Sequence, residues 1–142
     1  MQQVNQQELQ HLIAVSTGFI DTYVIECHNQ PPMLLPQNIV LSALDSATQV
    51  TTVDWHELKL PVHAIHDPSH QKGVALVIEG EESQQRFALM CNEMPQTMRL
   101  RISEVVDAQD IERPEEVFQY VKVGEQLFHV PNLQVIEKKL GL

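Results

Sequence analysis

Basic side chains are scarce in this chain. Nine lysines and arginines stand against 19 aspartates and glutamates in 142 residues, a formal net charge of −10. No basic run or stripe occurs, so a phosphate-backbone footprint is missing and nucleic-acid binding is not expected. An anionic membrane surface would repel the chain for the same reason. No apolar stretch approaches the ~20 residues that span a bilayer. The opening residues, from Met1 to Glu8, lack the basic start and apolar core of a signal peptide. The expected location is therefore the cytoplasm. Only two cysteines occur, Cys27 and Cys91. Both lie in apolar strand-like surroundings, which reads as two buried reduced thiols in preference to a redox pair. Glycine is also sparse, with five in all and none in a phosphate-cradling loop, so no nucleotide site and no cofactor are expected.

What is present is a repeated order of segments. An apolar run passing into mixed residues, 33–44, has a counterpart at 87–98. A charged turn leading into a strand-like run with a proline, 57–65, has a counterpart at 124–133. The order A, B, A′, B′ predicts a duplicated small β unit, with a cleft between the two copies suited to docking a protein. The spacing is not constant, so this is a pseudo-duplication and not a repeat array. At this length about two thirds of the chain's surface can be buried, and no disulfide or metal is needed to hold the fold.

Along the chain, Leu9, Leu12 and Ile13 at helical spacing predict an amphipathic helix over 6–15, within an N-terminal extension of residues 1–20. Residues 21–142 read as one domain of two subdomains. Strands are predicted at 21–28 and 33–35, separated by a turn over Asn29, Gln30, Pro31 and Pro32. Residues 37–44 read as a helical turn passing into a strand. Strand-like runs at 48–53 and 58–65 flank the turn Asp54-Trp55-His56-Glu57, and Pro61 should sit at an edge or a bulge. Residues 74–79 and 85–92 read as a hairpin, 96–102 as a half-exposed strand, and 117–130 as a hairpin about Gly124 and Glu125. A C-terminal helix over 132–140 buries Leu133, Ile136 and Leu140, with Lys138 and Lys139 at its C-terminal dipole and Gly141 at the cap. Many short strands without long intervening helices predict a mainly β protein built of small barrels.

Candidate chemistry is thin. His63, His66 and His70, with His56 upstream, have ligand-like spacing, but the segment straddles a strand end and a proline-containing loop, so no metal site is expected. Neither cysteine lies in a nucleophile elbow. The pairs Glu81/Glu82 and Glu115/Glu116 fall in loops and read as solvated acidic turns. No catalytic residues are assigned. Trp55, the only tryptophan, reads either as a ring capping one barrel end or as an interface anchor. Met90 reads as core and Met94 as lining a groove.

From about Thr22 to Leu140 this pattern resembles the CheW-like domain, the coupling module of bacterial chemosensory arrays. The resemblance is carried by the apolar run 33–44, the strand with an internal proline at 58–62, the strands at 74–78 and 87–92, and the Gly-Glu turn and strand at 124–130 before the final helix. It implies two intertwined five-stranded SH3-like barrels, no enzymatic activity, and a bridge between a CheA-type histidine kinase and the cytoplasmic tip of a methyl-accepting receptor. By position, the implied receptor groove involves Ile39, Val74, Phe87 and Met94, with Trp55 and His56 as further protein-binding residues. The family's Asn-x-Arg-Gly turn is Asp54-Trp55-His56-Glu57 here; its arginine is His56 and that arginine's acidic partner aligns with Leu41. These departures make the chain similar to accessory, ChpC-like adaptors of type IV pilus twitching systems. A CheW-like module with a kinase-independent partner is the alternative, and a small metal-dependent enzyme on His63, His66 and His70 a third.

Overall fold

The computed structural model describes residues 18–80 and 85–142. The amphipathic segment 6–15, most of the N-terminal extension and the tip of the 80–83 connection lie outside the described residues. Residues 19 and 20, assigned to the extension by sequence, already belong to the first strand.

In chain order the strands are β1 (Phe19–Cys27), β2 (Gln30–Pro36), β3 (Val40–Ala47), β4 (Thr52–Trp55), β5 (Leu58–Ala64), β6 (Lys72–Ile78), β7 (Phe87–Cys91), β8 (Gln96–Arg101), β9 (Val105–Asp107), β10 (Val117–Val123) and β11 (Gln126–Pro131), followed by helix α1 (Leu133–Lys139). They form two mixed sheets, six-stranded β8-β1-β2-β11-β10-β9 and five-stranded β3-β6-β7-β5-β4. The closed barrels expected from the sequence are a correction: neither sheet closes. Among the described residues β8 does not pair with β9, nor β3 with β4. The physical reason lies at the end strands. β9 has three residues, which pair with β10 and extend too briefly to carry the sheet round to β8. β4 has four, and Trp55 at its end reaches β3 through its side chain, the Nε1–H donating to Ser42 Oγ at 3.0 Å.

The duplication is visible in the topology. The β1–β2 hairpin is flanked by β8 and by β11-β10; the β6–β7 hairpin is flanked by β3 and by β5-β4. Each half of the chain thus lends its hairpin to strands of the other half. Each sheet has one parallel contact at the corresponding place, β11 on β2 and β5 on β7. β9 has no counterpart.

Two proline positions follow from this pairing. Pro61 was expected at an edge or bulge; it sits where β5 leaves β4 (Thr52↔Pro61) and takes up β7 (Val62↔Ala88). A residue without N–H is tolerated at such a change of partner. Pro31 and Pro32, predicted in the first turn, instead lie inside β2, and the turn is His28-Asn29, with Asn29 at φ 59°. They fall in the register irregularity between Ile25↔Met33 and Cys27↔Gln30, where no ladder amide is required of them. The Pro31 carbonyl is taken instead by His129, whose Nδ1–H donates to it at 2.7 Å.

Burial divides into three clusters. The central one lies between the sheets: Ile25, Met33 and Leu35 meet Leu76, Ile78, Phe87 and Leu89, with Leu133 and Ile136 of α1 closing it. Alternate residues of β6 and β7, Ala75, Val77, Ala88 and Met90, point the other way and pack with Val53 and Leu60 inside the five-stranded sheet. Ile20, Leu34, Leu100, Val121, Phe128 and Val130 form the inner face of the six-stranded sheet. Gly73 has no room for a side chain, because a Cβ there would collide with the Cys91 carbonyl. α1 starts on Asn132, whose side chain accepts from the Val135 N–H at 3.3 Å. It ends on Gly141 at φ 82°, with Gly141 N–H to Lys138 and Leu142 N–H to Glu137, the paired bonds of a Schellman cap. No helix of the described residues is long and apolar enough to cross a membrane.

Candidate functional site

Two concave features stand out, and they differ in kind. The first is where the chain crosses between sheets. β7 ends in one sheet at Cys91 and β8 begins in the other at Gln96, and the connection between them walls a cleft of about 180 Å³ with Val24, Glu26, Pro32 and Gln126. Met94 projects there, half exposed. Asn92 anchors the connection by accepting the Asp67 N–H at 2.7 Å. The lining holds carboxylates, Glu26 and Glu93, and neither lysine nor arginine. An apolar, adaptable side chain ringed by negative charge suits an apolar anchor on a neutral or basic partner surface.

The second feature is an apolar cavity of about 220 Å³ on the inner face of the six-stranded sheet, lined by Ile20, Leu34, Leu100, Ile102, Val105, Phe118, Val121 and Val130, with Asp107, Gln119 and Thr22 as polar neighbours. Thr22 is already engaged, its hydroxyl donating to the Met98 carbonyl at 2.8 Å.

The structure separates the other residues assigned to the groove. Ile39, Val74 and Phe87 are core residues of the central cluster, with Phe87 wholly enclosed. All three are buried, so of the four only Met94 is exposed. For Val74 and Phe87 the reason is that β6 and β7 are covered on both faces, which a run of apolar residues does not reveal by itself; Ile39 is buried in the short helical turn between β2 and β3. Trp55 is half buried at the end of β4. Its ring meets His56 edge-to-face at 4.3 Å and Arg86 lies over it at 5.3 Å, while Arg86 pairs with Glu79 at 3.1 Å. His56 is exposed, and with Glu57 it forms a two-residue turn in which both have left-handed φ, 50° and 66°. Trp55 ties β4 to β3 through its Nε1–H.

The imidazoles do not converge. No group of three or more metal-ligating side chains occurs among the described residues. His63 is partly buried in β5, and burial lowers its pKa, with Glu116 and Lys139 acting in opposite directions. His70 is exposed, its carbonyl accepting from Thr48 Oγ1. His129, far from these in sequence on β11, is the one buried histidine among the described residues; desolvation lowers its pKa and the hydrogen bond to Pro31 offsets part of that. The thiols remain free. Desolvation pushes Cys27 up to about 12 and Cys91 higher still, so both stay protonated and poorly nucleophilic at neutral pH.

The apolar cavity was not foreseen from the sequence. The alternation of Leu100 and Ile102 was legible, but the cavity arises from pairing β8 with β1 across some 76 residues, as between Thr22 and Met98. Comparison with family models and with curated proteins returned no match.

Proposed function

We propose that the chain is a non-enzymatic adaptor of the CheW-like kind, coupling a methyl-accepting receptor to a CheA-type histidine kinase in a chemosensory or twitching-motility pathway. The observation that carries the reading is Met94, an exposed apolar side chain over a cleft at the crossing between two sheets that exchange hairpins. The exchanged arrangement also fits the order of segments on which the resemblance rests. Where that resemblance implies an ion pair at positions 56 and 41, the adjacent residues Trp55 and Ser42 make a neutral hydrogen bond.

The test is binding of the purified chain to a receptor cytoplasmic tip and to a kinase regulatory domain, measured by calorimetry for the native protein and for Met94→Asp. Native binding is expected to both. The substitution should weaken the receptor tip by about tenfold or more, the loss of one interface anchor, with the melting temperature unchanged. Binding to neither protein, or an unaffected Met94→Asp, overturns the reading. Binding to the receptor tip alone favours a kinase-independent adaptor, the alternative that positions 56 and 41 raise.

A further inference from the structure

We propose that Met94 is a redox modification site, its thioether converted by a neutral hydroperoxide into a sulfoxide that makes the cleft's apolar contact polar. The described methionines divide by access. Met33 and Met90 are enclosed, at 2% and 0% exposure, and Met98 is partly buried against the inner face of the six-stranded sheet. Met94 stands at 50%. The connection that carries it is pinned, because Asn92 accepts the Asp67 N–H at 2.7 Å and Pro95 restricts the backbone on its other side. Oxidants commonly take the thiolate of a cysteine, but Cys27 and Cys91 stay protonated and are at least partly buried. A thioether has no proton to lose, so its lone pair is available at any pH. Met94 is therefore the most accessible reactive sulfur among the described residues.

The walls of the cleft select the oxidant and receive the product. Glu26 and Glu93 line it, with neither lysine nor arginine beside them. Their field disfavours an anionic oxidant and is indifferent to a neutral one. In the reaction the Sδ lone pair attacks the terminal peroxide oxygen, and the O–O bond breaks as the S–O bond forms. Sulfur gives up two electrons to the departing oxygen. The proton of the transferred hydroxyl passes to that oxygen, which leaves as water or an alcohol. Gln96 and Gln126 border the same cleft, and their side-chain amides are N–H donors suited to a sulfoxide oxygen. The oxidised side chain thus finds polar partners inside its own cleft, whereas an apolar partner surface offers it none. The consequence for docking rests on the adaptor reading above; the modification itself does not.

Limited treatment of the full chain with hydrogen peroxide, read by peptide mass spectrometry, tests the site. Met94 should be oxidised severalfold faster than Met33, Met90 and Met98, with the melting temperature unchanged. The side-chain amide resonances of Gln96 and Gln126 should shift on oxidation. The oxidised protein should bind a receptor cytoplasmic tip about tenfold more weakly, and a methionine sulfoxide reductase with its thiol reductant should restore the affinity. Met94→Leu keeps an apolar side chain without sulfur, so its affinity should be the same before and after peroxide. Oxidation of Met94 no faster than that of Met98 overturns the proposal. So do glutamine resonances that stay in place, or undiminished binding by protein whose Met94 is fully sulfoxide. Should the untreated chain fail to bind the tip, the adaptor reading falls by itself, and the oxidation rates and glutamine resonances decide the modification site.

Discussion

The two sheets share a strand plan and differ in how that plan is finished. In the five-stranded sheet the inner face is filled by Ala75, Val77, Ala88 and Met90, all fully enclosed, and its end strands are tied by one side-chain hydrogen bond from Trp55 to Ser42. The six-stranded sheet has an additional edge strand, β9, yet keeps a cavity of about 220 Å³ beneath it. The lesson is that duplication of topology does not carry duplication of packing. Side chains decide that, and here the copy with more strands is the one its own strands leave incomplete.

Matched truncations give the largest expected contrast. Met90→Ala opens a void in a filled interior and should cost about 2–5 kcal/mol, the usual range for such a change. Leu100→Ala borders space that already exists, and should fall at or below the bottom of that range. Urea denaturation of the two variants checks the difference, and equal losses would break the comparison. The reverse substitutions sharpen it. Ala88→Leu overpacks the five-stranded sheet and should cost about 1–3 kcal/mol, whereas Val121→Ile adds a methylene beside the cavity and should change stability by less than about 0.5 kcal/mol.

A smaller effect is expected at the tie. Trp55→Phe retains an aromatic ring and removes the Nε1–H donor, for a loss of about 1 kcal/mol. A double-mutant cycle with Ser42→Ala isolates the bond itself, and additive losses would show that it contributes nothing. The most gradual effect belongs to pH. Burial lowers the folded-state pKa of His129, so the unfolded chain takes up the proton first. The stability from its neutral form is complete above the unfolded value of about 6.5 and is lost as pH falls through that value toward the lower folded one. His63 acts in the same direction. Thermal melts between about pH 8 and 5 should therefore show a shallower acid slope in His129→Gln than in the native chain.

Much of this architecture could be read from the residues, and the limits are specific. The segments at 33–44 and 87–98 do occupy equivalent places, each leaving one sheet for the other through β2–β3 and β7–β8. The runs at 57–65 and 124–133 contain β5 and β11, the strands that make the parallel contacts. Local signals sufficed for these, including Gly124 at φ 64° and the capped final helix. Closure was not legible, because it depends on whether β3 meets β4 and β8 meets β9, contacts that no periodicity encodes. The prolines at 31 and 32 misled for a related reason: a bulge excuses their missing N–H groups, and bulges are set by the partner strand. At the site, apolar type alone could not separate Met94, exposed, from Phe87, enclosed. Burial on both faces of β7 made that distinction.

Native-state hydrogen exchange tests the contrast between the sheets most directly. Val121 and Phe128 are nearly as buried as Leu76 and Leu89, and all four belong to paired strands, so exposure does not separate them. The amides of Leu76 and Leu89 should exchange only through global unfolding, and those of Val121 and Phe128 through a local opening of lower free energy. Equal protection at all four would contradict the account, because it would mean that the six-stranded sheet is as firmly closed by its own strands as its partner.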